Sequence, residues 1–139
     1  NIPSLEFRNF SKSNMNQGVF EEDSVILTLF FTDGDGDFGT SGQGNEKNIF
    51  ILDKRTKEIF REYKAPFIPL EGAGNGISGT ISIKIFSTCC IFPEASGIFP
   101  CESSEEFPFN DLVLDVYIKD RAGNQSNTVT TTAIRLNCR

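Results

Sequence analysis

The sequence predicts an all-β domain. Runs of Ile, Val, Leu, Phe and Thr either alternate with polar residues or stay apolar for the length of one strand. Clusters of Gly, Asn, Asp, Ser and Pro separate them. Apolar residues at helical spacing are almost absent. At 139 residues the chain is one domain, residues 1–139. Adding the 12 Gly to its 38% hydrophobic fraction gives about 47% apolar, as in folded globular domains, which excludes disorder.

Seven strands are expected. Ile2 to Phe10 comes first, with Leu5 and Phe7 facing one way. Ser24 to Thr32 follows, with Val25, Leu27, Leu29 and Phe31 on one face and Ile26 and Phe30 on the other, the pattern of a central strand covered on both sides. Asn48 to Asp53 and Glu58 to Lys64 flank Lys54-Arg55-Thr56-Lys57, a polar turn of hairpin length. Pro66 and Pro69 lack an N–H and suit only a sheet edge, and Glu71 to Gly76 reads as a loop. In Ile77 to Ser87, Ile81, Ile83 and Ile85 point inward against Ser82 and Lys84. Leu112 to Lys119 repeats this with Leu112, Leu114, Val116 and Ile118. Ser126 to Cys138 is Thr-rich, with Ile134, Leu136 and Cys138 on one face.

Evenly spaced strands with turn-rich loops predict a two-sheet sandwich of immunoglobulin-like type, with a long insertion between the fifth and sixth strands. There is no Trp, and no Cys falls in the second or sixth strand, so the antibody-type signature is missing. A barrel is the competing all-β arrangement.

Composition excludes several functions. The net charge of −6 argues against duplex nucleic acid, which is held by Lys and Arg. The absence of His removes Ser-His-Asp and Cys-His catalysis and the commonest zinc ligand. No run reaches the roughly 18 apolar residues of a membrane helix. The chain opens at Asn1 without Met or an apolar leader, so removal of an upstream segment is expected.

Cys89, Cys90, Cys101 and Cys138 are even in number and lack Cys-x-x-Cys spacing, which favours disulfides and an oxidising, extracytoplasmic location. The first three lie within Thr88 to Asn110, the longest irregular segment, and Cys138 finishes the seventh strand at the same end. Cys89 continues the inward parity of Ile81, Ile83 and Ile85, and Cys138 that of Ile134 and Leu136. The expected pairs are Cys89 with Cys138 and Cys90 with Cys101. Phe92, Phe99, Phe107 and Phe109 in this segment read either as a patch for a partner or sugar, or as a satellite core under a long loop. Glu102, Glu105 and Glu106 read as a solvated tip.

After the second strand comes Asp33-Gly34-Asp35-Gly36-Asp37-Phe38-Gly39. Alternate carboxylates separated by Gly can converge hard oxygens on one ion, which is calcium chemistry, and flexible oxygen-only ligands favour calcium over magnesium. An EF-hand is excluded, since its Gly and Glu positions hold Phe38 and Gly44. In a sandwich this loop shares an end with the turn after the sixth strand, so Asp120 and Asn124 are expected to join Asp33, Asp35 and Asp37 toward the roughly six to eight oxygens that calcium takes. The competing reading is an acidic turn without metal, because carboxylates about 6 Å apart repel by only about 0.7 kcal/mol per pair in water. In that reading Asp120 closes an Asx-type turn and Arg121 pairs with the loop.

The acidic loop together with Asp120-Arg121-Ala122-Gly123-Asn124-Gln125-Ser126-Asn127 resembles the immunoglobulin-like domains of secreted lipoproteins in Gram-negative bacteria. The second segment is similar to the last hairpin of many bacterial cell-surface immunoglobulin-like and fibronectin-like modules. The resemblance rests on these two segments. It implies an envelope or cell-surface protein, lipid-anchored on a Cys upstream of this chain, and supplies no catalytic residue.

A non-catalytic, structural or interaction-mediating module with calcium at one loop end is therefore the leading expectation, its partner a protein or glycan at the cell surface. A carbohydrate- or peptide-binding module acting through the aromatic insertion or Glu71 to Gly76 is the second. An enzyme would have only carboxylate pairs to work with, as in glycoside hydrolysis, and no Asp or Glu lies in an apolar pocket segment. The negative charge is local. Without Asp33, Asp35, Asp37, Glu94, Glu102, Glu105 and Glu106, Lys and Arg outnumber the remaining acids.

Overall fold

The computed structural model describes residues 2–33, 47–63, 77–120 and 122–139. The strands are β1 (Ser4–Phe10), β2 (Asn14–Asn16), β3 (Ser24–Asp33), β4 (Ile49–Asp53), β5 (Glu58–Tyr63), β6 (Ile77–Phe86), β7 (Phe109–Leu112), β8 (Leu114–Ile118), β9 (Val129–Thr130) and β10 (Ile134–Asn137). One 3-10 turn, Glu94–Ser96, completes the described elements. The fold is all-β, in three sheets ordered β1-β3-β6, β2-β10-β7 and β5-β4-β8-β9. Among the described residues no helix is long and apolar enough to cross a membrane.

Alternation sets the buried face of each long strand. On β3, Val25, Leu27, Leu29 and Phe31 are buried. Its other face, expected to be sealed, is half-buried: Ile26 and Phe30 keep partial exposure, and the Arg8 guanidinium lies 4.8 Å from the Phe30 ring centre. Ile83 and Ile85 of β6 face the same core, as do Leu112, Leu114, Val116 and Ile118. In β1 a register shift between Phe7 and Asn9 turns Phe10 to the side of Phe7, since a bulge reverses parity. The two rings sit 5.3 Å apart and pack on the core.

The expected last strand is two strands. Residues 131–133 interrupt it, and β9 pairs with β8 while β10 pairs with β7. The cause is Thr131, which is buried. Its N–H donates to Leu114 O at 2.9 Å and its Oγ1 accepts from Leu114 N at 3.1 Å, so a side chain replaces the backbone acceptor in the ladder. The sixth run likewise divides at Val113 into β7 and β8. The short β2 was not expected. Only Met15 of it is buried, and it runs parallel to β10 with Met15 opposite Leu136.

These registers gather the loops at two ends of the domain. Leu5 pairs with Phe31, two residues before Asp33, and is held by Asn127 through its N–H and C=O. Lys119 N donates to Asn48 O at 2.9 Å, bringing the start of β4 to the same hairpin. Asp33 and the 119–127 turn therefore share one end. At the other, Phe86 pairs with Ser24 and Phe109 with Asn137, which gathers residues 87–108 and Cys138 there.

Candidate functional site

At the first end the hairpin is built from its own polar side chains. Gly123 takes φ +88°, a left-handed conformation for which Gly carries no steric cost, and its N–H donates to Asp120 O at 3.1 Å. Asp120 is buried. Its Oδ1 accepts from Asn124 N at 2.8 Å and its Oδ2 from Asn124 Nδ2 at 3.1 Å. Ser126 Oγ accepts from Ile118 N at 2.9 Å and donates to Asn127 O at 2.8 Å.

Asn127 then reaches across to β1. Its Oδ1 accepts from Leu5 N at 2.8 Å and its Nδ2 donates to Leu5 O at 2.9 Å, so one amide reproduces both bonds of a strand pair. Each bond is worth about 1 kcal/mol. Asn127→Ala is expected to cost about 1–2 kcal/mol, and Asn127→Asp, which keeps the acceptor but sets a carboxylate oxygen against Leu5 O, at least as much. Urea unfolding of the three proteins checks the order, and equal midpoints for all three would remove the clamp.

Of the five expected calcium ligands, the structure brings Asp120 and Asn124 into direct contact and buries Asp33 at the same end. Asp35 and Asp37 lie outside the described residues, as does Arg121. Among the described residues no cluster of three or more His, Cys, Asp or Glu is arranged to hold a metal. Each Asp120 oxygen accepts a hydrogen bond from Asn124. Asn124 turns its Nδ2 to Asp120, which leaves Oδ1 as its donor atom for an ion. This oxygen-only set is the kind that calcium takes.

At the second end the four cysteines all form disulfides, but with the crossed pairing: Cys89 with Cys101 and Cys90 with Cys138. The expected pairs are corrected because parity slips after β6. Ile83, Ile85 and Ser87 are buried at alternate positions, and the next buried residue is Cys90, not Cys89. Cys138 does keep the parity of Ile134 and Leu136, all three fully buried, and so meets the buried Cys90.

Two side chains that local pattern could not single out organise this end. Gln17 accepts from Cys90 N at 2.8 Å and donates to Glu102 O at 3.0 Å and Cys138 O at 3.2 Å. Arg55, in the β4–β5 turn, forks onto Asp53 with Nη2 at 2.8 Å from Oδ2. Its Nη1 donates to Cys89 O at 2.9 Å and to Asn110 Oδ1 at 2.6 Å. Nearby, the Lys12 ammonium bonded to Asp23 and the Asn16 N–H hold the Asp23 carboxyl below the usual carboxylate range.

The four phenylalanines of the insertion do not form one patch. Phe92 is buried and Phe107 packs on the core, their ring centres 6.3 Å apart. Phe99 and Phe109 are exposed, with the Arg135 guanidinium 4.6 Å from the Phe109 ring centre. Away from both ends, one cleft of ≈ 320 Å³ runs past Phe7, Arg8 and Phe10, and another of ≈ 420 Å³ holds Asp111 beside Arg135 and Ser13. Neither of these two brings a pair of carboxylates together. Comparison with family models, with curated proteins and with solved structures finds no match for the chain.

Proposed function

We propose that the chain is a non-catalytic, extracytoplasmic module of a bacterial cell-surface protein, an immunoglobulin-like sandwich that serves as scaffold or interaction unit and takes calcium at the Asp33 end. The observation that carries this is the use made of buried polar side chains. Asp53, Ser87, Ser104, Asp120, Ser126 and Thr131 are buried, and each bonds backbone at a turn or strand end. They are spent on holding loops.

Strand pairing supports the sandwich. In constant-type immunoglobulin domains the first, second, fourth and fifth strands share one sheet and the third, sixth and seventh the other. Here β1, β3 and β6 make one sheet and β5, β4, β8 and β9 another, with the fourth run on the edge of the latter and β2, β10 and β7 in a third. The two disulfides support an oxidising location, where such bonds persist. The exposure of Phe99 and Phe109 favours a second reading, a carbohydrate- or peptide-binding module.

Melting curves test the ion. Calcium at about 100 times its Kd adds about 2.7 kcal/mol, which raises Tm by roughly 10 °C. The double variant Asp35→Asn, Asp37→Asn is expected to lose this rise. If EDTA and calcium leave the wild-type curve superimposable, the ion is struck from the proposal.

A further inference from the structure

At the disulfide end, apolar side chains stand in solvent on backbone that is tied down. Phe20 is 83% exposed, Phe99 72% and Val19 58%. The loop that carries Val19 and Phe20 is anchored on both sides. Gln17 bonds Cys90, Glu102 and Cys138, Gly18 N donates to Thr88 O at 3.2 Å, and Lys12 Nζ meets Asp23 at 2.6 Å. Glu22 folds back to accept from Phe20 N at 2.8 Å. Phe99 opens a tight turn closed by Glu102 N onto Phe99 O at 3.2 Å and tied through Cys101 to Cys89. Gln17 joins the bases of the two loops directly, so both rise at the same end of the domain.

Both loops are acidic. Glu21, Glu94, Glu102, Glu105 and Glu106 are exposed on the same two segments, and residues 17–23 and 91–108 contain no Lys or Arg. Arg55 is consumed by Asp53, and Arg139, next to Cys138, offsets one charge. Ordered aromatic side chains lose little freedom on binding and make effective anchors. A rim of one charge selects a partner of the other.

We propose that this end docks a basic, amphipathic polypeptide segment. Phe20, Val19 and Phe99 enter its apolar face, and the glutamates meet its Lys and Arg side chains. Charge complementarity decides among occupants. A second copy of the chain, docked symmetrically, would bring two acidic rims together, and an anionic lipid surface would repel this one. The inference rests on reading the domain as an interaction unit and is independent of calcium at the opposite end.

The probes are a fluorescein-labelled amphipathic peptide of Leu and Lys, its Leu and Glu counterpart, and vesicles of phosphatidylcholine or phosphatidylglycerol, read by anisotropy and co-sedimentation. The Leu/Lys peptide is expected to bind the full chain, about 30-fold more weakly after Phe20→Ser with Phe99→Ser. Glu102→Lys with Glu105→Lys should weaken it about 10-fold, and less so as salt is raised. These positions are exposed, and unchanged melting temperatures show that the variants fold. No binding of the Leu/Lys peptide, equal binding by all variants, or equal binding of the Leu/Glu peptide overturns the proposal. So does vesicle binding, or self-association, that depends on Phe20 and Phe99 while the peptide stays free. Any of these failures leaves the calcium-dependent melting test untouched, so the two readings fall separately.

Discussion

Replacing Cys90 and Cys138 together by Ala is expected to lower Tm by roughly 15 °C. The bond closes a loop with a sequence separation of 48, for which the chain-entropy relation assigns about 4 kcal/mol, and a domain of this size loses about 4 °C per kcal/mol. Both cysteines are fully buried, and their bond joins the end of β10 to the segment after β6. The Cys89–Cys101 closure, with a separation of 12, is worth about 3 kcal/mol, so its double Ala variant loses less. The decisive protein is Cys89→Ala with Cys138→Ala, which breaks both bonds and is expected to lose about 7 kcal/mol, a large share of a domain's total stability. Thermal melts of the three double variants rank them. Were Cys89→Ala with Cys138→Ala no worse than Cys90→Ala with Cys138→Ala, the crossed pairing would be wrong.

That pairing marks where the sequence stops being informative. Alternation is a local signal, and it places the main buried face: Val25, Leu27, Leu29 and Phe31, Ile83 with Ile85, and Leu112, Leu114, Val116 and Ile118 are buried as expected. It fails where the strand stops. Two residues, not one, lie between buried Ser87 and buried Cys90, and this slip exchanges the partners of two adjacent cysteines. Met15 is the one buried residue of β2, too short a run for any period to register. The break at 131–133 lies in a Thr run, where the one buried hydroxyl takes over a ladder bond and no change of hydropathy announces it.

The site divides along the same line. Asp120 is legible, in the metal-free reading, as the closer of an Asx-type turn, and the structure builds that turn onto Asn124. Gln17 and Arg55 are not, because their partners lie 73 and 34 positions away at Cys90 and Cys89, and polar composition carries no record of such distances. Of the four insertion phenylalanines, only tertiary packing decides that Phe92 turns in while Phe99 turns out.

Arg55→Ala is expected to cost about 3–4 kcal/mol, a drop in Tm of roughly 12–16 °C. The Arg55 and Asp53 side chains are only 13% and 8% exposed, so truncating the arginine strands a carboxylate away from water. Asp53 would keep Arg55 N, 2.9 Å from Oδ1, but lose the guanidinium fork. Cys89 O and Asn110 Oδ1 would lose a donor as well, although Asn110 Oδ1 still accepts from Ile91 N at 3.2 Å. Removing a partner costs more than removing the pair, because the penalty comes from the unpaired charge. Asp53→Asn with Arg55→Leu is therefore expected to recover at least about 1 kcal/mol relative to the sum of the two single changes. Arg55→Lys keeps the charge without the planar fork and should fall between wild type and Ala. Hydrogen exchange locates the effect. Amides of the β4–β5 turn and of Cys90 and Ile91 are expected to lose protection together, since Arg55 ties the two segments, whereas Ser126 in the distant hairpin stays protected. A loss confined to the turn, or a Tm drop below about 3 °C, would show that Arg55 does not couple the third and fourth runs to the disulfide end.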